Sequence, residues 1–252
     1  MTFRRRSPDD SAVGHFAPPG SHSPPPAVLH LLRLYNTAMD WNGIETILLD
    51  LDGTLLDRAF DDHFYFEVLP GRYAEANHLS LDDARERLIG LYRAVEGELD
   101  WTDLDYWTRT LNLDVTEIKS SVRHGIRPHP DTLAFLAFLR DRKVPAHLVT
   151  NAHPKSLAIK LAQTGLEPYL DRIVTAFDVG CLKLRPDYWA KSQLILGFDP
   201  GRTLYIDDDE AALAAADTHG IEHLYLRSNP SSALPSQPSR IYRSIESFHV
   251  FM

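Results

Sequence analysis

Thr46-Ile47-Leu48-Leu49-Asp50-Leu51-Asp52-Gly53-Thr54 decides the fold. An unbroken apolar run closes on Asp-Leu-Asp-Gly, and such a run bounded by a turn signal suits a strand buried on both faces, as in a parallel sheet. Similar runs recur at Ala146-His147-Leu148-Val149, Arg172-Ile173-Val174-Thr175, Thr203-Leu204-Tyr205-Ile206 and His223-Leu224-Tyr225-Leu226. Helical patterns lie between them. Pro154 to Thr164 and Pro186 to Leu196 each open on proline and are followed by a glycine, Gly165 and Gly197; the Ala-rich Asp209 to His219 ends at Gly220. Proline at the first turn and glycine past the last are helix start and stop signals. Strands alternating with helices predict an α/β fold with a Rossmann-like parallel sheet. In such sheets functional groups gather outside the carboxyl ends of the strands.

The alternation breaks once. Residues 58–129 show no strand pattern. Ser80-Leu81-Asp82-Asp83 reads as a helix start, with apolar Leu88, Leu91 and Val95 following, and Leu104 to Leu111 and Asp114 to Val122 also read as helices. We expect an all-helical cap over 58–129, inserted after the first strand where a long insertion sits over the strand ends. A helical layer packed to one side is the alternative. The α/β core then comprises 41–57 and 130–252. Residues 1–40 form an N-terminal extension with Arg4-Arg5-Arg6, Pro24-Pro25-Pro26 and no apolar period, a composition that predicts disorder. Ser, Asp and Gly follow the arginines where a secretory signal would place its apolar segment. Met39, just before the folded pattern, is a candidate start of translation. Ser228 to Arg240, rich in Ser and Pro, reads as a surface loop.

Composition excludes several classes. The 252 residues carry 26 Lys+Arg against 35 Asp+Glu, a net charge of −9, which makes the chain a poor general binder of nucleic-acid backbone. One cysteine, Cys181, cannot staple a secreted scaffold, and no apolar run approaches the ~20 residues of a membrane helix. We expect a cytoplasmic protein with no nucleic-acid polymer or membrane as partner. Oligomeric state is not legible in the sequence.

Four strand ends carry chemistry. Asp50 and Asp52, two apart on an extended chain, point the same way. Paired carboxylates repel unless a cation or proton intervenes, and Mg²⁺, which takes few carboxylates, several waters and a phosphate oxygen, suits such a pair. Thr150-Asn151 ends the second strand with a hydroxyl and an amide able to donate to phosphate oxygens. Lys183 follows the third strand with a charge that can neutralise a phosphate. Asp207-Asp208-Asp209 ends the fourth with further metal ligands. Each alone has a plainer reading: turn chemistry for the Asp pair, helix caps for Thr-Asn and the Asp triplet, a solvated charge for the lysine. Their occurrence together, in order, at successive predicted strand ends, points to one site.

Asp50-Leu51-Asp52-Gly53-Thr54-Leu55 resembles the first motif of the haloacid dehalogenase superfamily, and Thr150, Lys183 and Asp207-Asp208 match its second, third and fourth motifs in order and spacing. The likeness spans about Asn42 to Leu226, and the helical insertion matches the cap these enzymes carry. Leu184-Arg185-Pro186 follows Lys183 where the superfamily often has proline directly, and Asp209 stands where serine is common; neither departure removes a required group. Three further segments, Leu55 to Asp61, Leu104-Asp105-Tyr106-Trp107 and Thr150-Asn151-Ala152-His153-Pro154, are similar to purine 5′-nucleotidases of this superfamily that act on GMP and IMP.

The resemblance implies a Mg²⁺-dependent phosphomonoesterase. Asp50 would be the nucleophile that forms an aspartyl-phosphate, and Asp52 the acid/base. Asp50, the backbone carbonyl of Asp52 and Asp208 would hold the metal, with Asp207 as an extra or water-mediated ligand. Thr150, the Asn151 backbone N–H and Lys183 would bind the phosphoryl oxygens. Dehalogenases usually lack the acid that Asp52 supplies, which favours a phosphatase acting on a small phosphorylated substrate. Alternatives are a phosphoglycolate or sugar-phosphate phosphatase, a phosphomutase, or a non-catalytic phosphate-binding module. Trp101, Tyr106 and Trp107, with Asp103 and Asp105 among them, are either a platform for a base or cap core, and Phe64, Tyr65 and Phe66 share that ambiguity. His153 reads as a cap or a solvent-facing residue, and the histidines show no metal spacing.

Overall fold

The apolar run Thr46–Leu49 forms β1, at the centre of a six-stranded sheet in the computed structural model, which describes residues 39–252. The expectations for the N-terminal extension fall almost entirely on residues 1–38, outside the described residues. After β1 come α1 (Ala59–His63), a π-helical turn over Phe64–Val68, α2 (Leu69–Asn77), α3 (Leu81–Ala94), α4 (Leu104–Leu111), α5 (Val115–Ser121) and α6 (Thr132–Arg142). The alternation then runs β2 (Ala146–Thr150), α7 (Pro154–Thr164), β3 (Arg172–Thr175), α8 (Ala176–Val179), α9 (Pro186–Leu196), β4 (Thr203–Asp207), α10 (Glu210–Thr218), β5 (His223–Arg227) and β6 (Arg243–Ile245). The strand order is β3-β2-β1-β4-β5-β6 and every pair is parallel. The predicted α/β class and Rossmann-like sheet are observed.

Both faces of the sheet are buried, which is why its strands read as unbroken apolar runs. Ile47, Leu49, Leu148, Leu204 and Ile206 join Phe135, Leu139, Leu157 and Leu161 in one cluster. Leu48, Val149, Val174 and Tyr205, one residue out of phase, join Trp189, Tyr188 and Leu213 in the other. Each fully buried Leu or Ile contributes about 1.5–3 kcal/mol relative to exposure.

Helix ends follow the chemistry read from the sequence. Gly165 and Gly197 close α7 and α9 in the left-handed conformation, and Ser80 caps α3 by accepting from Asp83 N. Two expected boundaries shift inward because the acid caps rather than joins the helix: Asp209 caps α10, and Asp114 caps α5. β6 and α6 were not expected. β6 is three residues at the sheet edge without an apolar run.

From Ala59 to Ser121 the chain is helical and carries a third cluster, including Phe64, Leu88, Tyr92, Leu104, Trp107 and Val115. Its two ends meet: Asp57 N donates to Arg127 O at 2.9 Å and His129 N to Leu55 O at 3.0 Å. A segment that leaves and returns at adjacent points can vary without altering the sheet. No helix of the described residues is long and apolar enough to cross a membrane.

Candidate active site

The carboxyl ends of β1, β2 and β4 and the loop after α8 converge on one cavity of about 490 Å³. Asp50, Asp52, Thr150, Asn151, Lys183, Asp207 and Asp208 all line it, so the fold brings together the motif residues of all four expected segments. Asp50 lies one residue past β1, its N–H still on Ile206 O at 3.1 Å. The chain then turns sharply at Gly53, whose φ is +95°. A Cβ there would sit 2.4 Å from Asp208 Oδ2, so glycine is needed both for the turn and for the approach of Asp208. Gly53→Ala is expected to cost about 1–3 kcal/mol in a denaturant melt, the usual range for such strain. A melt within about 0.5 kcal/mol of wild type, the range of an ordinary surface substitution, would refute it.

Lys183, buried, donates to Asp50 Oδ1 and, at 2.6 Å, to Asp207 Oδ2. Burial opposes its charge, but the two carboxylates outweigh burial and hold its ammonium above the usual lysine range. Asp207 accepts three hydrogen bonds: besides Lys183, its Oδ2 accepts from Tyr205 Oη and its Oδ1 from Asp209 N at 2.9 Å. Asn151 Oδ1 accepts from Lys183 N at 2.9 Å, tying the ends of β2 and the α8 loop together. Thr150 Oγ1 accepts from Ala152 N at 3.0 Å, which leaves its hydroxyl proton to donate.

Asp50, Asp207 and Asp208 present oxygens that lie within 4.8 Å of one another. Against these three carboxylates stand Lys183 and Arg58, whose Nη1 is 2.8 Å from Asp208 Oδ2. Burial, with the charges of neighbouring acids, pushes Asp50 well above the usual carboxylate range and Asp208 up to about 7. Asp50 Oδ2 is buried with no hydrogen-bond partner among the described residues. An orphaned buried oxygen and an excess of carboxylates are what a divalent cation relieves, so the donor set fits Mg²⁺. The Asp52 side chain stands apart from this group, its Oδ1 2.6 Å from Lys160 Nζ.

Four residues here escaped the sequence reading: Arg58, Asp61, Lys119 and Lys160, all lining the cavity. A signal existed for the lysines. Lys160 shares a helix face with the buried Leu157 and Leu161, and Lys119 with Val115 and Val122; a cation on an apolar stripe needs buried anions. His153 is a cap, accepting from Lys155 N through Nδ1 at 3.2 Å, but it does not face solvent. Its Nε2 lies 3.3 Å from Asp103 Oδ1, and Lys155 pairs with Asp105 at 2.5 Å, so α7 and α4 are held together at their N-termini. Asp103 and Asp105 are thereby engaged. Trp107 is fully buried in the helical segment's core yet still lines the cavity, beside Tyr65 and the more exposed Trp101 and Phe66, at 38% and 52%. The π-helical turn divides the aromatic run, sending Phe64 to the core and its neighbours to the cavity.

A family model of haloacid dehalogenase-like hydrolases matches residues 44–220. The GMP/IMP nucleotidase YrfG of Escherichia coli K12 is 34% identical over 208 residues, 82% of this chain and 94% of that protein. Pyrophosphatase PpaX of Bacillus pumilus is 28% identical over 180 residues, 68% of this chain and 77% of its own. Among solved structures, a HAD phosphatase from Thermococcus onnurineus superposes with a TM-score of 0.70 at 25% identity, covering 82% of this chain and 95% of that one. The matched span holds the whole motif set and the helical segment between its first two members. The chain belongs to the haloacid dehalogenase-like hydrolases, as one of the phosphatases of that family.

Proposed function

We propose that the protein is a Mg²⁺-dependent phosphomonoesterase that works through an aspartyl-phosphate on Asp50, with purine nucleoside 5′-monophosphates of the GMP/IMP kind as substrates. The observation that carries the chemistry is Asp50 itself: buried, oriented by Lys183, one oxygen unpartnered, at the floor of a cavity that also holds Asp52. Asp50 attacks phosphorus, a new O–P bond forms, and the ester O–P bond breaks as Asp52 gives its proton to the leaving oxygen. Asp52 then takes a proton from water as that water attacks the phosphoryl group, which frees Asp50 and releases phosphate. Lys183, Thr150 and the Asn151 N–H bind the phosphoryl oxygens through the charge and donors they already present. Asp50, Asp208 and the Asp52 carbonyl would hold Mg²⁺, with Asp207 anchoring Lys183 beside them. When bound, the metal supplies positive charge that draws electron density off the phosphoryl group.

Residues 58–129 act in this reading as the cap, and their aromatic face sets specificity. The nucleotide substrate is supported by the relative that acts on GMP and IMP and by Trp101, Phe66 and Tyr65, aromatic residues that line the same cavity as the acids. Trp101 is held in place: its carbonyl accepts from Trp107 Nε1 at 3.0 Å, and its ring meets Tyr92 edge-on. A cytoplasmic setting agrees with the single, unpaired Cys181.

Phosphate release from GMP, IMP, AMP, phosphoglycolate and sugar phosphates, with Mg²⁺ and with chelator, tests this reading. We expect metal-dependent turnover with purine monophosphates preferred. Equal turnover of phosphoglycolate would overturn the substrate class. Trp101→Ala is expected to raise KM for GMP about 5- to 150-fold, since stacking a base contributes roughly 1–3 kcal/mol. The effect on glycerol phosphate, which has no ring to stack, should be far smaller.

A further inference from the structure

Four charges alternate along a buried path beside the nucleophile. Lys160 Nζ lies 2.6 Å from Asp52 Oδ1 and 2.8 Å from Asp61 Oδ2, and Lys119 Nζ lies 2.6 Å from Asp61 Oδ1. The two lysine side chains are 2% and 1% exposed, Asp61 15% and Asp52 26%. Lys119 is clamped from its other side by the rings of Phe64 and Tyr65, at 4.7 and 4.8 Å. Each lysine would be costly to bury alone. Asp61 has Lys119 already, so its charge does not require a second cation. An apolar side chain at 160 would avoid the desolvation cost altogether and extend the stripe of Leu157 and Leu161. What only a cation there achieves is to fix Asp52.

We infer that Lys160 is a positioning residue that holds the Asp52 carboxyl aimed into the cavity, with Asp61 and Lys119 fixing Lys160 in turn. This rests on the reading of Asp52 as acid/base. Lys160 sits in the middle of α7, whose Leu157 and Leu161 pack into the sheet's core, so the ammonium is delivered by a rigid element. Its ammonium pairs with Oδ1 alone, by charge and without hydrogen-bond alignment, while its hydrogen bond goes to Asp61; the carboxyl group stays a quarter exposed where it lines the cavity. Asp61 comes from α1 and Lys119 from α5, both in the helical segment. The aim of Asp52 is therefore set jointly by core and cap. In the step served, the proton passes from Asp52 to the ester oxygen as the O–P bond breaks and its electron pair goes to that oxygen.

A residue that aims an acid matters in proportion to the leaving group's need for a proton. A nucleoside alkoxide needs one, and p-nitrophenolate does not. The test compares kcat/KM of wild type, Lys160→Met, Asp52→Asn and the double variant on GMP, glycerol phosphate and p-nitrophenyl phosphate. The ratio kcat/KM covers only the steps up to leaving-group release, so later hydrolysis of the aspartyl-phosphate does not blur it. We expect Lys160→Met to lose about 100-fold on the alkyl esters, the low end of what general acid catalysis contributes, and under about tenfold on the nitrophenyl ester. The double variant should be no worse than Asp52→Asn, because the two act as a unit. Lys160→Gln, shorter but still a donor, serves if the Met variant does not fold, with the same split expected. Equal losses on both ester types, or additive losses in the double variant, would overturn the role of Lys160. A wild type active on the nitrophenyl ester but indifferent to Asp52→Asn on alkyl esters would overturn the acid/base reading instead, and the inference with it.

Discussion

Asp50→Asn is expected to lower kcat for phosphate release by about four orders of magnitude or more, the scale on which removal of a covalent nucleophile acts. The substitution is nearly isosteric. An amide oxygen still accepts from Lys183, and Lys183 keeps Asp207 as its second partner. What is lost is the unpartnered anionic oxygen that attacks phosphorus. The protein should not be destabilised. Burial holds the Asp50 carboxyl well above its ordinary range. A folded pKa above the unfolded one means that, at neutral pH, the ionised form opposes folding, and a neutral amide removes that penalty. In chelator at pH 7 the variant should melt at or above wild type. Residual turnover above about 1% with intact folding would remove Asp50 from the nucleophile's role and leave the aspartyl-phosphate without support.

Asp52→Asn is the second large effect. Its amide keeps an oxygen for Lys160 but cannot give up a proton to an alkoxide. We expect kcat/KM on GMP to fall by about 10²- to 10⁴-fold, the usual contribution of a positioned general acid, with a much smaller fall on p-nitrophenyl phosphate. Lys160 retains Asp61 at 2.8 Å, so the ammonium is not orphaned and the fold should survive. Unchanged turnover of an alkyl phosphate would refute the assignment of Asp52 and leave the leaving-group proton to another donor in the cavity.

The two substitutions differ in how visible their partners are in the sequence. Asp50 and Asp207 stand at the ends of runs whose strand character follows from period and composition, so a parallel sheet already implies that they converge, and Lys183 joins them from the loop that follows β3 and α8. Lys160 and Asp61 are 99 positions apart. No local pattern joins them, and only the packing of α7 against the helical segment does. The buried lysines were nonetheless detectable as misfits on apolar helix faces. Arg58 gave no such sign, because an arginine just before a helix is ordinary until Asp208 is placed beside it. The aromatic run of the cap was legible as a composition but not as a division of labour. Trp107 serves both the core of the helical segment and the cavity wall, while Trp101 lines the cavity from a more exposed position, a distinction that only packing creates.

By itself, the sequence determined five of the six strands, their parallel sense, the order of the motif residues and the helical character of the stretch after the first strand. These depend on short-range regularities: apolar runs, proline and glycine at helix ends, and acids directly after strands. The tertiary structure decided which charges pair. Lys183 goes to Asp50 and Asp207, Lys160 to Asp52 and Asp61, and Arg58 to Asp208. Coulomb energy depends on separations of a few ångströms and on burial, and neither exists until distant segments have packed.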